Sequence, residues 1–134
     1  MEKIKVKLDD GAYMPERAHD ADAGYDLRTP IGVEILPHGS ITVDTGVHMA
    51  IPKGYVGFLK SKSGLNVNYN LTGTGVVDSG YTGSIKVKLY NHSKMPHAFA
   101  KGDKLIQIVL FFAIIRLGIP EELIFLIISR TFLG

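Results

Sequence analysis

The segment Ser84-Ile85-Lys86-Val87-Lys88-Leu89-Tyr90 alternates apolar and polar residues without a break. A period of two places Ile85, Val87 and Leu89 on one face and Lys86 and Lys88 on the other. That pattern marks a strand with one face on a core and the other in water, as antiparallel sheets have. Ile4-Lys5-Val6-Lys7-Leu8, Ile41 to Val47 and Tyr55 to Lys60 read as further strands. Pro37-His38-Gly39-Ser40 and Ile51-Pro52-Lys53-Gly54 supply turns between them. Lys104 to Leu110 is a candidate partner for the Ser84–Tyr90 strand. One short helix, near Ser63-Gly64-Leu65-Asn66-Val67, is the most that can be placed before residue 110. The chain is therefore expected to be all-β, a sandwich or barrel of short strands.

With 134 residues the chain suits one domain. Its 15 basic and 13 acidic residues leave a charge of +2, and the lysines are spread along strands. That argues against nucleic acid as a partner. With no cysteine, a disulfide framework and a thiolate metal site are excluded, and a reducing cytosol is suited. The first ten residues alternate in charge and lack the apolar core of a signal peptide. Leu105 to Leu133 is the most apolar region, but Gln107, Arg116, Pro120, Glu121, Glu122 and Arg130 interrupt it. No stretch reaches the roughly 20 residues of a membrane span, so no membrane association is expected. The texture changes at Leu110, giving an expected β domain over 1–109 and an apolar tail over 110–134. Buried strands, or a helix starting after Pro120, both fit that tail.

Four clusters carry chemistry. In Gly73 to Gly83, glycines surround Asp78 and Tyr81. Glycine lets a backbone approach a ligand and adopt unusual dihedrals. The acid and the ring offer a candidate base and a stacking surface; the other reading is a hairpin turn in which Asp78 bonds local amides. Ala23-Gly24-Tyr25-Asp26-Leu27 presents Asp26 at the start of a strand, or as the cap of its own loop. Lys62-Ser63-Gly64-Leu65 combines a cation, a hydroxyl and a pliant backbone, the makings of a phosphate cradle or of an ordinary turn. Lys101 to Gln107 begins a strand at Gly-Asp and offers the Gln107 amide, or is simply a turn. The histidines at 19, 38, 48, 92 and 97 are isolated and read as surface or turn residues rather than metal ligands.

Taken in chain order, from Ala23 to Gln107, the four clusters resemble the trimeric dUTPase family, from about Ile4 to Val109. The resemblance implies a β-barrel or jelly-roll and Mg²⁺-dependent hydrolysis of dUTP to dUMP and pyrophosphate. It makes Asp78 the general base for attack of water on the α-phosphate. Tyr81 would pack on the deoxyribose and leave no room for a 2′-hydroxyl. Uracil would be read by main-chain groups at Gly75, Val76 and Lys86, with Thr72 at the hairpin's other edge. Lys62, Ser63, Gly64 and Gln107 would hold the phosphates, and Asp26 would meet the Mg²⁺ through water. A homotrimer, dUTP as the small-molecule ligand, and the cytoplasm of a cell or of a phage's host are implied too.

Two features depart from the family. Lys62 stands where most members carry Arg, which loses a planar fork. The ending Ile127 to Gly134 lacks the glycines of the family's closing segment, so the lid role is not assigned to Arg130 or Phe132. The alternatives are a weakly active or non-catalytic nucleotide- or protein-binding module, and a dCTP deaminase relative. Ser79-Gly80 after Asp78 argues against the deaminase, which needs an added glutamate there.

Overall fold

A computed structural model describes residues 3–113. The expectations for the tail, Arg130 and Phe132 among them, lie outside the described residues. Ten strands and one helix follow one another as β1 (Val6–Leu8), β2 (Gly24–Arg28), β3 (Val33–Ile35), β4 (Ser40–Asp44), β5 (Val47–Met49), β6 (Tyr55–Lys60), α1 (Ser63–Tyr69), β7 (Leu71–Val77), β8 (Lys86–Asn91), β9 (His97–Phe99) and β10 (Lys104–Phe112). Six form one antiparallel sheet in the order β2-β10-β6-β7-β8-β4. The ribbons β1–β5 and β3–β9 complete the all-β fold. Among the described residues no helix is long and apolar enough to cross a membrane.

The alternation of Ser84 to Tyr90 is realised in β8, where Val87 and Leu89 are buried while Lys86, Lys88 and Tyr90 face solvent. They join Leu27, Ile35, Leu59, Leu71, Ile106 and Ile108 in one core. Each such side chain contributes about 1.5–3 kcal/mol by leaving water. Leu105 and Ile106 are both buried because the β10–β2 register shifts between Lys104 and Ile106. A bulge at that point breaks the strict two-residue alternation.

Three expectations are corrected. The run Ile41 to Val47 is two strands rather than one. Thr45 Oγ donates to the Ile85 carbonyl at 2.6 Å and Gly46 has φ +68°, so the chain leaves β4 there and re-enters as β5 beside β1. The strand from Lys104 pairs with β2 and β6, not with β8. It also continues to Phe112, past residue 109, with Leu110, Phe111 and Phe112 opposite Gly57, Val56 and Tyr55. Third, the glycine-rich stretch from Gly73 to Gly83 is not one ligand-hugging turn, since Gly73 to Val77 belong to the regular strand β7 and only the residues after it turn. None of the glycines from Gly73 to Gly83 has a positive φ. Gly73 is small for a packing reason, since a Cβ there would lie 2.7 Å from Leu89 and 2.8 Å from Ile106.

Candidate active site

β7 and β8 form a hairpin that opens toward its tip. They pair only at Leu71–Asn91, Thr72–Tyr90 and Gly73–Leu89. Beyond that, Thr74 to Val77 pair with β6, while Lys86 to Lys88 pair with β4. The arms diverge because each has a better partner on its outer side, and the gap is a cleft of about 250 Å³. Gly75, Val76, Asp78, Tyr81 and Lys86 line it, above a floor that includes Leu59 and Ile85. Backbone groups on the inner edges of the two arms have no ladder partner across the gap, so they are available to a planar polar ligand.

The cleft's mouth is the turn from Asp78 to Ser84. Tyr81 N–H donates to the Asp78 carbonyl at 3.1 Å, and Tyr81 OH donates to the Ser84 carbonyl at 2.7 Å. The ring folds back over Gly83, where a Cβ would sit 2.6 Å from the Tyr81 oxygen. Gly83 is therefore what permits this rotamer. Tyr81 stays 41% exposed, presenting an aromatic face at the opening. Asp78 is exposed too, and among the described residues no hydrogen bond or ion pair engages its carboxylate. That removes the reading in which Asp78 only bonds local amides.

A second cluster forms at the other end of the sheet. Asp26, in the middle of β2, is 4% exposed. Lys62 Nζ pairs with its Oδ1, and Lys104 Nζ with its Oδ2 at 3.1 Å. Burial pushes the carboxyl up, but hydrogen bonds and charge attraction from Lys62 and Lys104 outweigh it and hold Asp26 below the usual carboxylate range. It caps no local loop. The pairing partner of Asp26 on β10 is Gln107, whose Nε2 donates to the Ser61 carbonyl at 3.1 Å. Ser61 Oγ in turn receives the Gly73 N–H at 2.9 Å, tying the start of α1 to β7. Lys62 is the N-cap of α1 and supplies no side-chain cap, so Ser63, Gly64 and Leu65 present the helix's first amides without one. A Cβ on Gly64 would meet open space.

The cluster carries two ammoniums against one carboxylate, a net positive charge that suits an anion. Both Asp26 oxygens are already held, and among the described residues no three His, Asp or Glu side chains converge on a cation site. Among the described residues the donor set thus offers no direct seat for a divalent ion.

Gly75, Val76, Asp78, Tyr81 and Lys86 come together in the cleft, while Asp26, Lys62 and Gln107 come together beside the start of α1. Thr72 joins neither. It sits below the point where the hairpin opens, and its Oγ is 2.7 Å from His92 Nε2. The register Thr74–Lys60–Gln107–Asp26 crosses four strands, about 14 Å at ~4.8 Å per step. Sequence reasoning gave no role to Lys104 or Ser61. Their parts follow from which strands pair, and no local pattern signals that.

The dUTPase family model matches residues 10–122. The chain is 40% identical over 120 residues to the deoxyuridine 5′-triphosphate nucleotidohydrolase of Mycolicibacterium vanbaalenii, covering 87% of this chain and 75% of that one. It is 41% identical over 108 residues to the enzyme of the same name from Mycobacterium tuberculosis, covering 78% and 70%. The fold superposes with a TM-score of 0.81 on the dUTPase of Staphylococcus aureus phage phi11, at 30% identity over 90% of this chain and 97% of that one. A mutant of that phage protein coordinates a structural Mg(II) ion. A further TM-score of 0.81, at 29% identity, relates it to the phage 80alpha dUTPase bound to dUPNHPP, covering 90% and 89%. This chain belongs to the dUTPase family.

Proposed function

We propose that the chain is a dUTP nucleotidohydrolase that splits dUTP into dUMP and pyrophosphate. The observation that carries this reading is the opened hairpin, which sets unpaired backbone edges, a free carboxylate and an aromatic face around one cleft. Uracil enters between the arms and meets main-chain groups of Gly75, Val76 and Lys86. The Tyr81 ring packs on the sugar and crowds the 2′ position. Asp78, exposed and without a partner among the described residues, orients a water and takes its proton as the water oxygen bonds to the α-phosphorus. The bond from that phosphorus to the bridging oxygen breaks, and pyrophosphate leaves.

The phosphate chain falls to Lys62, Ser63, Gly64 and Gln107. Mg²⁺ would be held mainly by the triphosphate itself, with Asp26 reaching it through water, and would neutralise phosphate charge. Within one chain the cleft and the phosphate cluster lie about 14 Å apart, three strand steps along the register from Thr74 to Asp26. On this reading a nucleotide seated in one copy's cleft meets the cluster of another copy, in keeping with the trimer that the family resemblance implies. Exposed Val76, Phe111 and Phe112, lining an apolar hollow beside Asp78, support such contact between copies.

Pyrophosphate release from dUTP with Mg²⁺, measured for the wild type and for Asp78→Asn, tests the reading. Turnover that vanishes in the variant supports it, and equal turnover in both removes it. Ammonia release from dCTP would instead favour the deaminase relative.

A further inference from the structure

His48, on β5, makes two bonds that the proposed chemistry does not use. Its Nδ1 lies 2.9 Å from the Thr82 carbonyl, and its Nε2 lies 3.0 Å from Asp9 Oδ1. Thr82 directly follows Tyr81 in the turn at the cleft mouth. The turn itself has few other ties. Ser79, Gly80, Tyr81 and Thr82 are all exposed, and a cavity of about 310 Å³ separates Ser79, Tyr81 and Thr82 from Lys5, Lys7 and Met49. We propose that His48 is a positioning residue for nucleotide binding, clamping the Thr82 carbonyl to the β1–β5 ribbon so that Tyr81 is held over the sugar site. The inference rests on the sugar-facing role given to Tyr81 above.

Both partners of the ring are acceptors, a carbonyl and a carboxylate. Only the imidazolium donates from both nitrogens. A neutral ring keeps one of the two bonds and sets a lone pair against the other oxygen. The clamp is therefore complete only when His48 is protonated. The hydrogen bond to Thr82, then that to Asp9, raise the His48 pKa above its ordinary value, with the Asp9 charge adding to them and with burial and Lys7 opposing. The other charged groups facing this corner are Lys5 on the ribbon, and Asp44 at the end of β4 with Lys86 opposite it. Asp44 is held low, first by the Gly46 amide, so it stays ionised and adds attraction for the charged ring throughout the neutral range. With a raised pKa the clamp is intact below the ordinary histidine value of about 6.5 and is lost as pH rises through the folded one.

The test compares KM and kcat for dUTP from pH 5.5 to 8.5 in the wild type, His48→Ala and His48→Asn, with the His48 ring titrated by NMR in the wild type and in Asp9→Asn. The wild-type KM should rise about threefold to tenfold across the ring's titration, the worth of one hydrogen bond, with kcat little changed. His48→Ala should show the high KM at every pH. His48→Asn, whose amide keeps a donor near the Nδ1 position and does not titrate, should show the low KM at every pH. Every other ionisation of enzyme and substrate is common to all three, so it cancels in the comparison. The ring pKa should fall in Asp9→Asn. Identical KM profiles in the wild type and both variants, or a ring titrating at or below the ordinary value, would overturn the clamp. Absence of dUTP turnover in the wild type would instead sink the enzymatic reading. The titration, and the sharpening of the Thr82 and Tyr81 resonances below the transition, would still decide the clamp.

Discussion

The hairpin cleft and the Asp26 cluster lie in one sheet yet are built in opposite ways. In the cleft, Asp78 has no side-chain partner among the described residues, and the strand edges are left unpaired by divergence of the arms. In the cluster, Asp26 is buried and both of its oxygens are taken, Gln107 is bonded, and Ser61 ties two strands. On the proposed reading, the group that acts on the reactant is left exposed to it, and the groups that hold the polyanion are fixed by their neighbours before the ligand arrives. The contrast predicts that substitutions in the cleft change turnover with little effect on folding, while those in the cluster change both.

The largest expected effect breaks the comparison at its active half. Asp78→Asn should lower kcat by about 10²–10⁴-fold, the range for loss of a general base. Nucleotide affinity and melting temperature should stay close to wild type, because the carboxylate makes no bond that folding needs. A several-degree fall in the melting temperature would mean the exposed aspartate has a structural task. The same variant probes the division of labour between copies. If cleft and cluster of one site come from different chains, refolding Asp78→Asn together with Lys62→Ala should restore turnover that neither has alone. A mixture as inactive as its parts would place the whole site within one chain.

The second effect strikes the structural half. Asp26→Asn removes the acceptor charge for two ammoniums and should cost about 2 kcal/mol, read as a drop in melting temperature. The sign of the pH dependence follows from the lowered pKa of Asp26. The stabilisation is complete above the ordinary carboxylate value and is lost as pH falls through the lowered folded value. The wild type should therefore lose its advantage over Asp26→Asn only in strong acid. An equal gap at every pH would show that packing, not charge, sets the cost.

These two regions were unequally legible in the sequence. β6, β8 and α1 could be read directly, because alternation, turn residues and a helix start are local signals. The grouping of Asp78 with Tyr81 was visible for the same reason, being contained in one turn. The pairing of Lys104 with Asp26 was not, since it depends on β10 lying between β2 and β6, a choice of partners made by the whole sheet. The glycines misled in a useful way. Gly73 is small to let Leu89 and Ile106 pack, and Gly83 to let Tyr81 fold back, so their density reflects packing as much as approach to a ligand. β3 and β9 went unseen because three-residue strands carry too little pattern to stand out.

The third effect sharpens the role of the cleft's ring. Tyr81→Ala should raise the relative kcat/KM for UTP about tenfold, ~1.4 kcal/mol, by opening room at the 2′ position. Stability should barely move, because the ring's one hydrogen bond is to an exposed carbonyl at the turn. An unchanged preference for the deoxyribose would transfer that selectivity elsewhere in the cleft.

The smallest effect returns to the cluster, where Lys62 meets Asp26 as a single ammonium. Lys62→Arg would keep the charge and add a planar fork able to span the Asp26 carboxylate and a phosphate oxygen at once. If the cluster is a preset anion seat, the better-oriented cation should lower KM for dUTP by about twofold to fivefold, the worth of a partial gain in one charged hydrogen bond. Asp78 is untouched, so kcat should hold. Lys104 stays on the second oxygen, so the carboxylate does not lose its other partner. A rise in KM would mean the larger head cannot fit between buried Asp26 and the start of α1. The region would then be set by shape rather than by charge, and the contrast between a free cleft and an electrostatically fixed cluster would need to be redrawn.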